Sequence, residues 1–190
     1  MKDTIIIVEG PQGAGKTTFT NYLRERIGSA DLYRLAGIKD KGITGLEKSK
    51  KRYSNLLQYM ENSISINMIF DRTFFSEEIY SRLGFKPYSF SDTYSELLQK
   101  LDSLDYEVYL IVLYLEDTEE YGNRIKREKH QYQEFEVQSS IKQQMEYLKL
   151  ADEVERDTKN INVIRFNNTS KQDFDKSIKQ QLGHLFEETL

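Results

Sequence analysis

The 190-residue sequence predicts an α/β fold built on a mainly parallel sheet. Three observations carry that expectation. Short apolar runs rich in β-branched residues alternate with longer segments whose apolar residues recur every three or four positions. A glycine-rich turn after the first run leads directly into a helical pattern. One run, EVYLIVLYL, is apolar almost throughout, as in a central strand covered on both faces.

Taken in order, Thr4 to Glu9 (TIIIVE) reads as a buried strand by length and β-branched content. Phe19, Leu23 and Ile27 recur four apart and start a helix just after the glycines. ADLYRLAG reads as a second strand ending at Gly37, Leu46 to about Ser63 as a helix, and Ile64 to Phe70 as a third strand. A helix to about Arg82, a loop around Pro87 and a helix over Tyr94 to Leu101 follow. Glu107 to Leu115 is the fourth strand. Val137, Ile141, Met145, Leu148 and Ala151 form a stripe on a long helix. Ile161 to Phe166 is the fifth strand, and Phe174, Ile178, Leu182 and Leu185 line a last helix. Strands alternating with helices imply βαβ units, with ligands beyond the carboxyl ends of the strands.

Length suits one domain over 1–190. A net charge of -4 argues against stable nucleic-acid binding. Lysines and arginines at 48–52 instead open an amphipathic helix with Leu56, Leu57 and Met60. Without cysteine there is no disulfide and no thiolate-bound zinc. Neither His130 nor His184 has a partner at metal-ligand spacing. The apolar run Ile5 to Val8 is too short for a signal peptide or membrane span, so a cytoplasmic location is the expectation.

Gly10, Gly15, Lys16 and Thr17 satisfy G-x-x-x-x-G-K-[ST], the phosphate-binding loop of P-loop NTPases. Glycines let the backbone curl so that successive N–H groups face phosphate oxygens, and the helix behind adds its positive end. The whole loop, with Gln12, Gly13, Ala14 and Thr18, is therefore expected to hold ATP. Lys16 would bridge the β- and γ-phosphates, and the Thr17 hydroxyl would hold Mg²⁺.

A second motif is MIFDRTFFS, where a strand ends in Asp71 and Arg72. Asp71 can support magnesium through water, and the fork of Arg72 suits a second phosphate. A third is YGNRIKREKHQYQEFE, spanning 121–136, in which Arg124 and Arg127 share one helical face. A helical lid carrying arginines can neutralise a transferring phosphoryl group and exclude water.

VEGPQGAGKTT, DRTFFS and the EYGNRIKRE…FE…YLKLAD run together resemble thymidylate kinases, of the nucleoside monophosphate kinase branch, along nearly the whole chain. The resemblance implies a five-stranded parallel core, MgATP as donor, and an Asp71–Arg72 motif that engages the acceptor monophosphate. It also implies a homodimer. Gly13 stands where some members carry a loop arginine, so Arg124 and Arg127 take the lid-arginine role by resemblance. Most directly, it implies conversion of dTMP to dTDP.

Two features depart from the pattern. Gln12 replaces an acidic residue that meets the acceptor sugar, and EEIYSRLGFKP differs from the usual residues after Ser76. A modified pyrimidine therefore stays open as substrate. Arg52, Phe74 and Tyr80 are candidate base contacts, since rings and guanidinium planes stack on pyrimidines. Deoxynucleoside kinases are the nearest rival, but a neutral 5′-hydroxyl calls for a carboxylate just after the second strand. Here Arg34 stands there, a candidate ligand for the acceptor phosphate, with Asp40 six residues on. A nucleotide-binding switch without transfer is a further alternative.

Overall fold

The computed structural model describes residues 2–38, 42–128, 134–170 and 173–183. Asp40, His130, His184 and Leu185, and 129–133 of the expected lid, lie outside them. Five parallel strands form one sheet in the order β2-β3-β1-β4-β5. They are β1 (Thr4–Glu9), β2 (Ala30–Arg34), β3 (Asn67–Asp71), β4 (Glu107–Tyr114) and β5 (Ile161–Asn167). The helices among the described residues are α1 (Lys16–Arg26), α2 (Ile43–Asn62), α3 (Phe74–Arg82), α4 (Ser91–Asp102), α5 (Glu120–Glu128), α6 (Glu134–Asp157) and α7 (Phe174–Leu182).

Alternation along the strands makes two cores. Ile5, Ile7, Met68, Phe70, Leu110 and Val112 face one way, with Leu57, Phe74, Leu97, Tyr147 and Leu150 from the helices on that side. Ile6, Val8, Ile69, Ile111 and Leu113 face the other, with Phe19 and Leu23 of α1 and Ile178 and Leu182 of α7. A strand covered on both faces is apolar at every position, which is why β1 and β4 show continuous runs.

Three sequence expectations shift. The second strand ends at Arg34, not Gly37, because its parallel ladder pairs Arg34 with Asp71, the last residue of β3. Beyond that pair the chain has no strand partner among the described residues, and Leu35, Ala36 and Gly37 line the cleft above the sheet. The third strand starts at Asn67, not Ile64, since Ser65 takes φ +56° and Ile64 is 84% exposed. On α6, Met145 is 68% exposed. The helix buries Ala151 as expected, packs Val137, Ile141 and Leu148 half-buried against the cores, and buries Ser140, Gln143, Gln144, Tyr147, Leu150 and Val154 besides. Gln144 Oε1 accepts from the Leu115 amide at 2.8 Å and from the Tyr121 hydroxyl, and Nε2 donates to the Leu115 carbonyl at 3.1 Å. Backbone at the end of β4 is what this face must satisfy, so polar residues displace apolar ones there.

Candidate active site

The β1–α1 connection curls as its glycines allow. Gly13 and Gly15 have φ of 84° and 90°, in the region that favours glycine, and Gly15 caps α1. At Gly10 the constraint is space, since an added Cβ would lie 2.7 Å from the Leu113 carbonyl oxygen of β4. Ala14 is fully buried beneath the loop. Lys16 is buried at the start of α1, with Nζ donating to the Pro11 carbonyl at 2.6 Å. Thr17 Oγ1 lies 3.4 Å from Asp71 Oδ2.

Asp71 comes from the end of β3, and Val8 of β1 is its ladder partner. Arg34 approaches the same Asp71 oxygen, with Nε 3.6 Å away, and also donates to Asn21 Oδ1 of α1. Arg72 leaves the strand at φ 70°, a left-handed conformation that costs a non-glycine residue about 1–2 kcal/mol. Its amide donates to the Val8 carbonyl at 3.1 Å, and its guanidinium donates to the Tyr80 hydroxyl at 3.0 Å. This turn aims Arg72 into a cleft of about 750 Å³. Gln12, Lys16, Thr17, Thr18, Arg34, Asp71, Arg72 and Tyr80 all line that cleft.

Arg124 and Arg127 line a neighbouring cleft of about 430 Å³, on the other side of the loop. There Arg124 donates to the Gly13 carbonyl at 3.3 Å, to the Asn168 carbonyl, and to Glu120 Oε2 at 3.0 Å. Arg127 is exposed. Two expected base contacts sit elsewhere. Phe74 is fully buried in the core, stacked on Phe75 at 4.5 Å, and lines neither cleft. Arg52 donates to the Ala36 carbonyl and also lines neither cleft.

Two residues escape sequence reasoning, and a third, Glu9, reads there only as a strand-end cap or a carboxylate that the loop could bring near the acceptor. Asn168, just past β5, donates from Nδ2 to the Ala14 carbonyl at 2.8 Å and so braces the loop. Its position beyond a strand's carboxyl end is the one signal that could have found it. Gln143 of α6 lines the main cleft, with a buried Oε1 that has no hydrogen-bond partner among the described residues. Glu9 is fully buried and accepts from the Thr73 amide at 2.7 Å and Ser76 Oγ at 2.6 Å. Burial raises its pKa to about 7, although those hydrogen bonds, Arg72 and Lys16 all act to lower it.

The residues fit a magnesium nucleotide. A hydroxyl and a carboxylate stand together beside a lysine and a curled loop of backbone N–H groups, a donor set suited to a hard cation shared with phosphates.

A parallel five-stranded sheet with this loop after β1 is a P-loop fold. Solved structures agree. Thymidylate kinase from Candida albicans superimposes with a TM-score of 0.62 at 15% identity, covering 99% of this chain and 92% of that one. Deoxyadenosine kinase from M. mycoides with dCMP and dCDP bound gives 0.59 at 17% identity, covering 95% and 97%. The same enzyme with dATP gives 0.60 at 19%, covering 95% and 98%. No protein-family model matches the chain, and no curated protein sequence does. No helix among the described residues is long and apolar enough to cross a membrane.

Proposed function

We propose that the protein is a nucleoside monophosphate kinase. It moves the γ-phosphoryl group of MgATP to a pyrimidine deoxynucleoside monophosphate, with dTMP the acceptor that its sequence resemblance implies. One observation carries the reading. Among the described residues lining the main cleft, Asp71 is the sole carboxylate, and it already faces Thr17 and Arg34. A neutral hydroxyl acceptor would need a base, whereas a phosphate is already an anion and needs the cations Arg34 and Arg72.

Lys16 and the loop amides hold the donor's phosphates, with Thr17 and Asp71 at the magnesium position. Bound magnesium would neutralise charge on the β- and γ-oxygens. Arg34 and Arg72 orient an acceptor oxygen for attack on the γ-phosphorus, with ADP as leaving group. Arg124 and Arg127 serve the donor side. ADP release should depend on an added monophosphate, which a coupled assay with dTMP, dCMP, dUMP, thymidine and deoxycytidine reads directly. Turnover with the free nucleosides would overturn the assignment. That second reading is favoured by the likeness to deoxyadenosine kinase, which nearly equals that to thymidylate kinase.

A further inference from the structure

Glu9 ends β1 one residue before the loop, is fully buried, and takes no part in the transfer described above. A carboxyl group is costly to bury, and packing alone would be served by an apolar residue. Its partners show what it holds. Oε1 accepts from the Thr73 amide at 2.7 Å and from Thr73 Oγ1 at 3.3 Å. Oε2 accepts from Ser76 Oγ at 2.6 Å, with the Tyr147 hydroxyl 3.5 Å away. Thr73 follows Arg72 directly and opens α3, a helix with no side-chain cap of its own. The Arg72 amide is held in turn by the Val8 carbonyl at 3.1 Å. Consecutive amides of the Arg72 turn are thus tied to consecutive residues of β1. The turn needs such ties, because φ 70° is a conformation that a non-glycine residue leaves when it is free to do so.

We infer, resting on the acceptor assignment above, that Glu9 is a positioning residue: by holding the Thr73 amide it fixes the left-handed turn that aims Arg72 at the acceptor's phosphate. Reach decides this role, and charge does not. A protonated Glu9 still offers Oε1 to Thr73, with its O–H turned to Ser76 or Tyr147. Glutamine has the same reach, and its amide group can donate to Ser76 Oγ. Aspartate keeps the charge but falls one methylene short of Thr73.

The test is KM and kcat for the best monophosphate acceptor, with Kd for that acceptor and for MgATP by calorimetry. The proteins are wild type, Glu9→Gln, Glu9→Asp, Glu9→Ala and Arg72→Ala. Glu9→Asp and Glu9→Ala should raise acceptor KM about fivefold or more, as Arg72→Ala does, with MgATP Kd within about twofold of wild type. Glu9→Gln should stay within about twofold in both. A lowered melting temperature in Glu9→Asp and Glu9→Ala with acceptor KM unmoved would make Glu9 structural only and overturn the inference. Loss in Glu9→Gln with Glu9→Asp intact would assign the effect to charge, and overturn it equally. An acceptor KM that Arg72→Ala itself leaves unchanged would overturn the acceptor reading, and the role of Glu9 with it. If only free nucleosides turn over, the monophosphate assignment alone fails, and nucleoside KM then decides the role of Glu9. If nothing turns over, the acceptor Kd series decides it. Should neither Glu9→Asp nor Glu9→Ala fold, Ser76→Ala, which frees Oε2, decides: acceptor KM should rise severalfold, and no rise overturns the inference.

Discussion

At Glu9 the chain buries a carboxyl group completely, and burial lifts its pKa from an ordinary 4.5 to about 7. Between those values the folded protein holds a proton that the unfolded chain has lost. Stability from this group is therefore full below about pH 4.5 and falls as pH rises through 7, by about 3 kcal/mol in all. Urea unfolding at pH 5 and pH 8 should show a smaller difference in Glu9→Gln than in wild type; an equal difference would refute the buried-acid account. Arg72 makes a different demand, because its left-handed backbone aims the guanidinium at the cleft. In Arg72→Ala the acceptor KM should rise about tenfold or more and kcat should fall, with ATP affinity nearly kept. Unchanged acceptor kinetics would remove its role. Lys16, Thr17, Asp71 and Arg72 were legible in sequence because local spacing carries them. Glu9 was not, since its environment comes from Ser76 and Tyr147, far along the chain.

On the scale of elements, the strands were legible and their ends were not. A run of β-branched residues marks β1 or β4, but β2 stops where β3 stops offering partners, a limit set by a different segment. Helix α6 shows the same dependence. Its periodicity suggested a face through Met145, while the face that is buried meets backbone at the end of β4 through Gln144. Gln144→Leu would strand the Leu115 amide and the Tyr121 hydroxyl, both otherwise satisfied by that side chain. A loss of about 1–3 kcal/mol in urea unfolding is expected, and a neutral result would mean that water replaces the amide there. Arg82 pairs with Glu78 within α3 at 2.8 Å and links α3 to α6 through Glu146 at 3.4 Å and Glu153 at 2.8 Å. Glu78 is 1% exposed, so Arg82→Met should cost about 2 kcal/mol or more by leaving a buried carboxylate unpaired. Melting temperature within a degree of wild type would contradict this.

Across the whole molecule, the loop and the arginines hang from one sheet, so ligand binding should report on global stability. MgATP at a hundred times its Kd should stabilise the fold by about 2.7 kcal/mol, read as a rise in melting temperature. Lys16→Ala should lose most of that rise; an undiminished rise would place the nucleotide elsewhere. The strand order carries a longer consequence. With β1 in the middle, the smaller cleft leans on β5 through Asn168 and on α5 through Arg124, while the main cleft leans on β2 and β3 through Arg34 and Arg72. Under the proposed function, substitutions that retune the accepted nucleotide would gather on one margin of the sheet, with the phosphate chemistry at its centre. Such a chain can change its diet over generations without relearning how to digest.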